Sequence, residues 1–385
     1  MAKPSPLERR IWRSAVCRDT LLAPDPPRHA PESSSEDPRR AAHGEARHRA
    51  RDDASQDASQ GVSEAVSEAS SRRPRRVLVT GVTGQDGSWL AEQLLAEGDR
   101  VFGLVRPGSR STIPGLTILE GDLRDAASLR RAVDAAEPDE VYHLAAATFV
   151  PGAWDNPDEV LDVNAAGVER LAAALLGSGA RARLCHASSA EIFGPPTGRP
   201  QNEDHPLLAA TPYGQSKARA HLCIARLRSE HGLFACSAIL FNHESPRRPP
   251  HFVTRKISMA AAAIARGSKE PLVLGSLDAA RDWGYAPEYV AAMRLMLRGA
   301  EPHDYVVATG RAASVRDFAA LAFAHVGLDW RDHVRSEAGL ARPHDTAARI
   351  GDPSRIKRDL GWTATTTFEE LVALMVDADL ALLDA

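Results

Sequence analysis

The chain has 385 residues, 43% of them hydrophobic and 25% charged, with a formal net charge of −4. That balance fits a soluble globular protein of one large domain or two lobes and argues against a nucleic-acid-binding face, which needs clustered cations. No apolar run approaches the ~20 residues that span a bilayer, and no continuous apolar core follows the early charges as in a signal peptide, so a cytoplasmic location is expected.

Residues 1–74 are rich in Pro, Ser, Arg, Glu and Asp and carry two small tandem repeats, DASQDASQ at 53–60 and VSEAVSEA at 62–69. Such a stretch buries too little apolar surface to offset its ordering entropy, so a disordered N-terminal extension is expected. The RRPRR run at 72–76 reads as a solvated tail meeting a domain edge, with a nucleic-acid patch as the alternative. Four cysteines, at 17, 185, 223 and 236, show no CxxC or Cys/His spacing. They read as small buried hydrophobes in a reducing compartment. The fourteen histidines form no ligand spacing, and no metal is expected.

From Val77 onward the pattern is regular. VLVTG reads as a strand, WLAEQLLAEG as a helix ending at Gly98, and RVFGLV as a strand. LTILEGD, a helix over 126–137 and the strand DEVYHLAAA follow, then helices over 164–177 and 214–231 and the strands RARLCHAS and FACSAILF. Apolar strands alternating with helices predict an α/β fold: a Rossmann-type, doubly wound parallel sheet over 75–242. From about 243 the pattern loosens and gains Pro and Arg. A smaller C-terminal substrate-binding lobe is expected over 243–385, with some segments returning to the first domain.

VLVTGVTGQDGSWL places Gly81, Gly84 and Gly87 between the first strand and the first helix. Glycines there permit a tight turn and let backbone N–H groups approach a pyrophosphate at a helix N-terminus, so Thr83, Gln85 and Asp86 also fall in a dinucleotide cradle. The second strand ends LVRPGSR, without the acid that an NAD ribose usually meets. Arg106 and Ser109 suit the 2′-phosphate of NADP; a solvated loop arginine is the alternative. Asp122 follows the third strand.

TPYGQSKARA opens a helix that sets Tyr213 and Lys217 four residues apart, on one face. An ammonium beside a phenol favours the phenolate and predicts a Tyr213 pKa lowered toward neutrality. Ser189, in HASSAEIFG at the end of the preceding strand, completes the set by hydrogen-bonding the substrate oxygen. With the glycine loop upstream, this constellation resembles the extended short-chain dehydrogenase/reductases. In that group an acid at the position of Asp122 lies near the adenine.

GVTGQDGSWLAEQLL, TPYGQSK, ILFNHESPRR, FVTRKIS and LGSLDAARDWGYAPEYVAAMRLML closely resemble the GDP-mannose 4,6-dehydratases over about 75–380. The resemblance implies a lyase that oxidises C4 of GDP-mannose with NADP, eliminates water across C5 and C6, and returns the hydride to C6. It implies Glu191 as the C5 base, beside Ser189, Tyr213 and Lys217. A second base fits this chemistry, since moving a hydride on and off one carbon needs only Ser, Tyr and Lys. The resemblance further implies Leu123, Leu144, Ala145, Ala146, Thr148, Tyr213, Lys217, His243 and Arg248 on the cofactor. It puts Asn242, Lys256, Arg281 and Arg342 on GDP-mannose.

Several positions depart from the family pattern. Ala190 stands where these dehydratases carry a serine, and it has no hydrogen to donate. Ala147 and Thr148 stand for a Gln-Ser pair. RPHDTA at 342–347 resembles a substrate-binding motif but offers Asp345 and then Ala347. The loop RPGSRSTIPG is shorter than the one that links subunits into tetramers, so a homodimer is expected, with a tetramer as the alternative. The competing functional reading is a related NAD(P)-dependent epimerase, reductase or dehydratase acting on another nucleotide sugar.

Overall fold

Alternation makes the first strand two-faced: Val77 and Val79 point to one side of β1 (Arg76–Thr80), Leu78 to the other, and all three are fully buried. In the computed structural model, which describes residues 73–148, 151–196, 198–337 and 347–385, this strand lies inside a seven-stranded sheet. The expected extension lies outside the described residues except for 73–74, as do the expected ligand Arg342 and the departure at Asp345. The described residues belong to one unit, Ala65–Ala385.

Along the chain β1 leads to α1 (Gln85–Ala96), β2 (Arg100–Val105), β3 (Thr117–Glu120), α2 (Ala126–Ala136) and β4 (Glu140–His143). Next come α3 (Pro157–Leu161), a π-helical turn (Asp162–Ala166), α4 (Gly167–Ser178) and β5 (Arg183–Ala187). A 3-10 turn (Ala190–Phe193), β6 (Pro200–Gln201), α5 (Pro212–His231), β7 (Ala235–Leu240) and β8 (Asn242–Glu244) follow. The C-terminal part holds α6 (Val253–Ala265), β9 (Leu272–Leu274), β10 (Ala280–Arg281), β11 (Trp283–Tyr285), α7 (Ala286–Arg298) and β12 (Tyr305–Val307). It ends with β13 (Ala313–Ser314), α8 (Val315–His325), α9 (Trp330–His333), β14 (Val334–Ser336), β15 (Ile350–Gly351), α10 (Ser354–Leu360) and α11 (Phe368–Leu383).

The sheet order is β12–β7–β5–β4–β1–β2–β3, with every neighbouring pair parallel. One face packs α1 and α7 over Val77, Val79 and Tyr142; the other packs α2, α4 and α5 over Leu78, Val141 and Leu184. Each large aliphatic side chain so buried contributes about 1.5–3 kcal/mol. The direction of the strand order reverses between β1 and β4, which opens a crevice at their carboxyl ends. β4 stops at His143, short of the expected DEVYHLAAA, because Thr80 competes for the next residues. Its Oγ1 accepts the Leu144 and Ala145 N–H groups, each at 3.1 Å, and lifts 144–148 off the ladder.

After β8 the chain divides its apolar residues. β12, α7 and Ile356 of α10 join the core of the main sheet. α6, α8 and α11 form a separate core in which Trp283 stacks on Phe368 at 5.7 Å and meets Phe318 edge-on. Among the described residues no helix is long and apolar enough to cross a membrane.

The RRPRR run is neither free tail nor patch at its C-terminal end. Arg75 spans the start of the sheet, meeting Asp99 at 2.5 Å and Glu140 at 2.8 Å, while Arg76 donates to the Ala136 carbonyl at 2.6 Å. The Asp99 and Glu140 carboxylates are buried, so removing their cation strands charge in the core. Arg75→Met is expected to lower the unfolding free energy by about 3 kcal/mol in urea titrations. Arg73→Ala, at an exposed position, is expected to change it by no more than about 0.5 kcal/mol. Equal effects from the two variants count against the ion-pair account.

Candidate active site

The glycine loop is shaped by close approach. A Cβ on Gly87 would stand 2.2 Å from the Gly81 carbonyl oxygen, so α1 starts almost on top of the turn and its N-terminal N–H groups face the crevice. Two residues expected here on the cofactor have structural partners. Asp86 receives His243 Nε2 at 2.9 Å, and Gln85 donates to the His243 carbonyl at 3.1 Å while accepting Ser245 Oγ at 2.9 Å. These bonds brace the loop against β8. Burial works to raise the Asp86 carboxyl, but the His243 charge and hydrogen bond, with Arg248 behind, bring it below its ordinary value. Burial likewise opposes charge on His243, and Asp86 overrides it, raising the imidazole.

Arg106 is exposed at the end of β2, in a turn closed by Ser109 N–H donating to the Arg106 carbonyl at 2.9 Å. Asp122 is held by Arg124 through bonds of 2.9 and 3.1 Å, and that pairing brings its carboxyl down to about 2. Leu123 is buried, Leu144, Ala145 and Ala146 are half-buried along the crevice, and Thr83 and Thr148 are exposed. A crowded glycine turn and a helix N-terminus fit the pyrophosphate of a nicotinamide dinucleotide.

The second half of the site comes from two segments pressed together. Pro212 at the first turn and Thr211, whose Oγ1 accepts the Gly214 N–H at 2.9 Å, start α5. Ser189 caps the 3-10 turn by accepting the Glu191 N–H at 3.2 Å, and it hydrogen-bonds the Tyr213 phenol. Ser189, Glu191, Tyr213 and Lys217 are thus brought together. Ala190 is 3% exposed and packs with Ile192, Phe193, Phe241 and Val306.

The expected lowering of Tyr213 is not what its surroundings produce. Burial, with the Glu191 charge adding to it, pushes the phenol up to about 12, against the Ser189 hydrogen bond and the Arg248 charge. Lys217 does not offset this: its Nζ, 6.0 Å from the ring centroid, donates to the Ala187 carbonyl at 2.7 Å. Burial brings Lys217 itself down to about 8.

Three contributors escaped the sequence reading. Asn164, on the π-helical turn, clamps the Ala147 backbone (2.8 and 3.0 Å) and Ser216 Oγ (3.0 Å), fixing the crevice wall beside Tyr213. Thr80 shapes 144–145 as described. Arg349, 5% exposed, donates to the Ala190 carbonyl at 2.8 Å and lies 3.3 Å from Glu191 Oε1. A π-turn has no clear sequence signature, although such turns gather at functional sites.

The residues expected on the substrate are more scattered. Asn242 pairs with Trp283 across β8 and β11, Lys256 is exposed on α6, and Arg281 Nη1 donates to the Ala280 carbonyl at 2.8 Å. Arg248, expected on the cofactor instead, pairs with Glu244 at 3.1 Å and lies 3.7 Å over the Phe252 ring. No group of three His, Cys, Asp or Glu among the described residues is arranged to hold a metal.

The model of the family described as GDP-mannose 4,6 dehydratase matches residues 78–375. GDP-mannose 4,6 dehydratase 1 of Arabidopsis thaliana is 44% identical over 330 residues, 80% of this chain and 91% of the relative. The human GDP-mannose 4,6 dehydratase is 38% identical over 346 residues, 81% of this chain and 93% of the relative. Among solved structures, the dTDP-glucose 4,6-dehydratase DesIV of Streptomyces venezuelae, with NAD bound, superposes with a TM-score of 0.71 at 25% identity, covering 79% of this chain and 96% of that one.

Lys217 should cost stability in the ligand-free protein. Its folded pKa, about 8, is below the ordinary 10.5, so the unfolded chain binds more protons between those values. The penalty is therefore full below pH 8, about 3 kcal/mol, and fades as pH rises toward 10.5. Lys217→Met is expected to unfold at higher urea than the parent at pH 7 and to lose most of that advantage near pH 10. A variant less stable than the parent at both pH values contradicts this.

Proposed function

The chain belongs to the GDP-mannose 4,6-dehydratase family, and we propose that Ser189, Tyr213 and Lys217 act at C4, that Glu191 acts at C5, and that NADP is its nicotinamide cofactor. It is a hydro-lyase that converts GDP-mannose to GDP-4-keto-6-deoxy-mannose and water. The observation that carries the residue assignment is the single turn Ala190–Phe193, which sets Glu191 two residues beyond the serine that hydrogen-bonds Tyr213.

In this reading the loop Gly81–Gly87, with Thr83, Gly84, Gln85 and Asp86, cradles the pyrophosphate. Arg106 and Ser109 meet the 2′-phosphate, Asp122 and Leu123 flank the adenine, and Leu144, Ala145, Ala146 and Thr148 line the nicotinamide side with His243 and Arg248 beyond. When bound, NADP supplies the hydride acceptor, the hydride donor for the return step and a positive charge near the reacting groups.

The protein's own groups move the protons. Tyr213 accepts the proton of the C4 hydroxyl while Ser189 holds that oxygen, and Lys217, poised near 8, favours the charged phenolate once the site is filled. The 4-keto group acidifies C5, and Glu191 takes the C5 proton. The C6–O bond breaks and the oxygen leaves as water, so one proton must return to it. A second proton returns to C5 after hydride reaches C6. Two protons are taken up, from O4 and C5, and two are given back. Asn242, Lys256, Arg281 and Arg342 are assigned to the GDP-mannose side, where cations suit a diphosphate.

A homodimer belongs to the same reading. Leu176 on α4 and Leu222 on α5 are about two-fifths exposed, which suits a partner's matching face. Cys185 and Cys236, buried as thiols in the sheet, suit a reducing compartment such as the cytoplasm.

Glu191→Gln, given GDP-mannose and cofactor in heavy water, is expected to accumulate reduced nicotinamide and to form no 4-keto-6-deoxy product; the parent puts deuterium at C5 without net cofactor reduction. Full product formation by the variant excludes Glu191 as the base. Arg106→Ala is expected to raise the KM for NADP about tenfold or more and leave that for NAD nearly unchanged, since losing one charged hydrogen bond costs ~1.5–3 kcal/mol. Parallel changes in both constants count against NADP selection by Arg106.

A further inference from the structure

Arg349 brings a buried positive charge to the base from a direction that the active-site segments do not supply. Its backbone is fixed on both sides: the N–H donates to the Ala280 carbonyl at 3.2 Å, and its carbonyl accepts the Asp282 N–H at 2.9 Å. The stretch that carries it continues into β15, which pairs with β6. From this anchored position the guanidinium reaches the 3-10 turn, with Nη1 2.8 Å from the Ala190 carbonyl and Nη2 3.3 Å from Glu191 Oε1.

The fold does not need a cation there. The turn is already capped by Ser189 and packed on α5, and an aliphatic side chain would fill the space without the several kcal/mol that it costs to dehydrate a guanidinium. What the charge holds at the turn helps to meet that cost. Ala190 offers its backbone carbonyl, and Glu191 offers one carboxylate oxygen while its side chain stays about one-quarter exposed to the crevice.

We propose that Arg349 is the positioning residue for the C5 base, binding the Ala190 carbonyl and Glu191 Oε1 so that Oε2 is the oxygen presented to the substrate. This rests on the assignment of Glu191 as that base. The turn carries no other polar side chain to orient the carboxylate, since Ala190 supplies none. Arg349 itself touches no reacting atom. It fixes the direction from which one oxygen meets C5, and a misplacement of about 1 Å in such an arrangement costs about 100-fold in rate.

The test compares Arg349→Met, Arg349→Lys and Glu191→Gln with the parent, using GDP-mannose and NADP in heavy water. Four quantities are read: the single-turnover rate of nicotinamide reduction, deuterium at C5 of the product, the KM for GDP-mannose, and the thermal midpoint. Arg349→Met is expected to reduce nicotinamide within about threefold of the parent rate and to lose C5 exchange and elimination about 100-fold, with KM little changed. Arg349→Lys, which keeps a cation but lacks the fork, is expected to recover part of the loss.

Equal loss of C4 oxidation and elimination in Arg349→Met, or elimination at the parent rate, overturns the proposal. If Arg349→Met does not fold, Arg349→Lys decides: elimination slowed at least about tenfold with C4 oxidation kept supports the proposal, and equal slowing of both overturns it. Normal elimination by Glu191→Gln overturns the base assignment and this proposal with it. An impaired Glu191→Gln beside a normal Arg349→Met overturns this proposal alone.

Discussion

The site depends on one close contact. A Cβ on Gly214 would lie 2.7 Å from the Glu191 carbonyl oxygen, so the first turn of α5 and the turn after β5 can meet only because residue 214 has no side chain. That approach puts the Tyr213 phenol within hydrogen-bonding reach of Ser189. A second tie, from Lys217 Nζ to the Ala187 carbonyl at 2.7 Å, fastens the helix to the strand end one turn further on. The four candidate side chains therefore come from two short segments whose relative position is settled by these contacts. The buried sheet beneath makes those contacts stiff.

The crevice side is held by a different kind of interaction. Asp86 opens α1 from within the glycine loop, and His243 sits on β8, which pairs with β11 outside the main sheet. Their 2.9 Å pair, with Gln85 and Ser245 alongside, joins the loop expected to hold the pyrophosphate to the strand that begins with Asn242. A buried pair of this kind adds little net stability, because dehydration offsets most of its attraction. Its effect is on register: the loop and β8 cannot slide relative to each other without stranding a charge.

Local features were legible in the sequence and long-range ones were not. The glycine spacing and the Tyr213–Lys217 interval lie within a few residues, so period and turn chemistry locate them, while Glu191 beside Ser189 comes from the family resemblance. Thr80 shortened β4 through a side chain on another strand, and Asn164 acts through a π-turn that no apolar period reveals. Arg349 reaches Glu191 across 158 positions of sequence. The expected low Tyr213 pKa failed for a related reason: it weighed a pair of residues and left out the burial around them, which is the larger effect. The departures in LAAATFV were visible, but not that Ala147 packs in a cluster with Tyr213 and is held by Asn164.

Ala190 bears most directly on how the proposed reaction conserves protons. Its methyl group is buried among Ile192, Phe193, Phe241 and Val306, so this position offers the leaving C6 oxygen neither a proton nor a polar contact. Within 188–194 the only carboxylate side chain is that of Glu191. Tyr213, held near 12, keeps its proton far more tightly than a carboxylic acid does. The C5 proton taken by Glu191 is then the nearest one with a low cost of release, and O6 lies on the carbon next to C5. One carboxyl can accept from C5 and donate to O6 if its reactive oxygen is exposed to both, which a guanidinium on the other oxygen favours. The proton that later restores C5 then comes from outside this pair, ultimately from solvent, and the O4 proton held by Tyr213 returns to solvent, so the count closes.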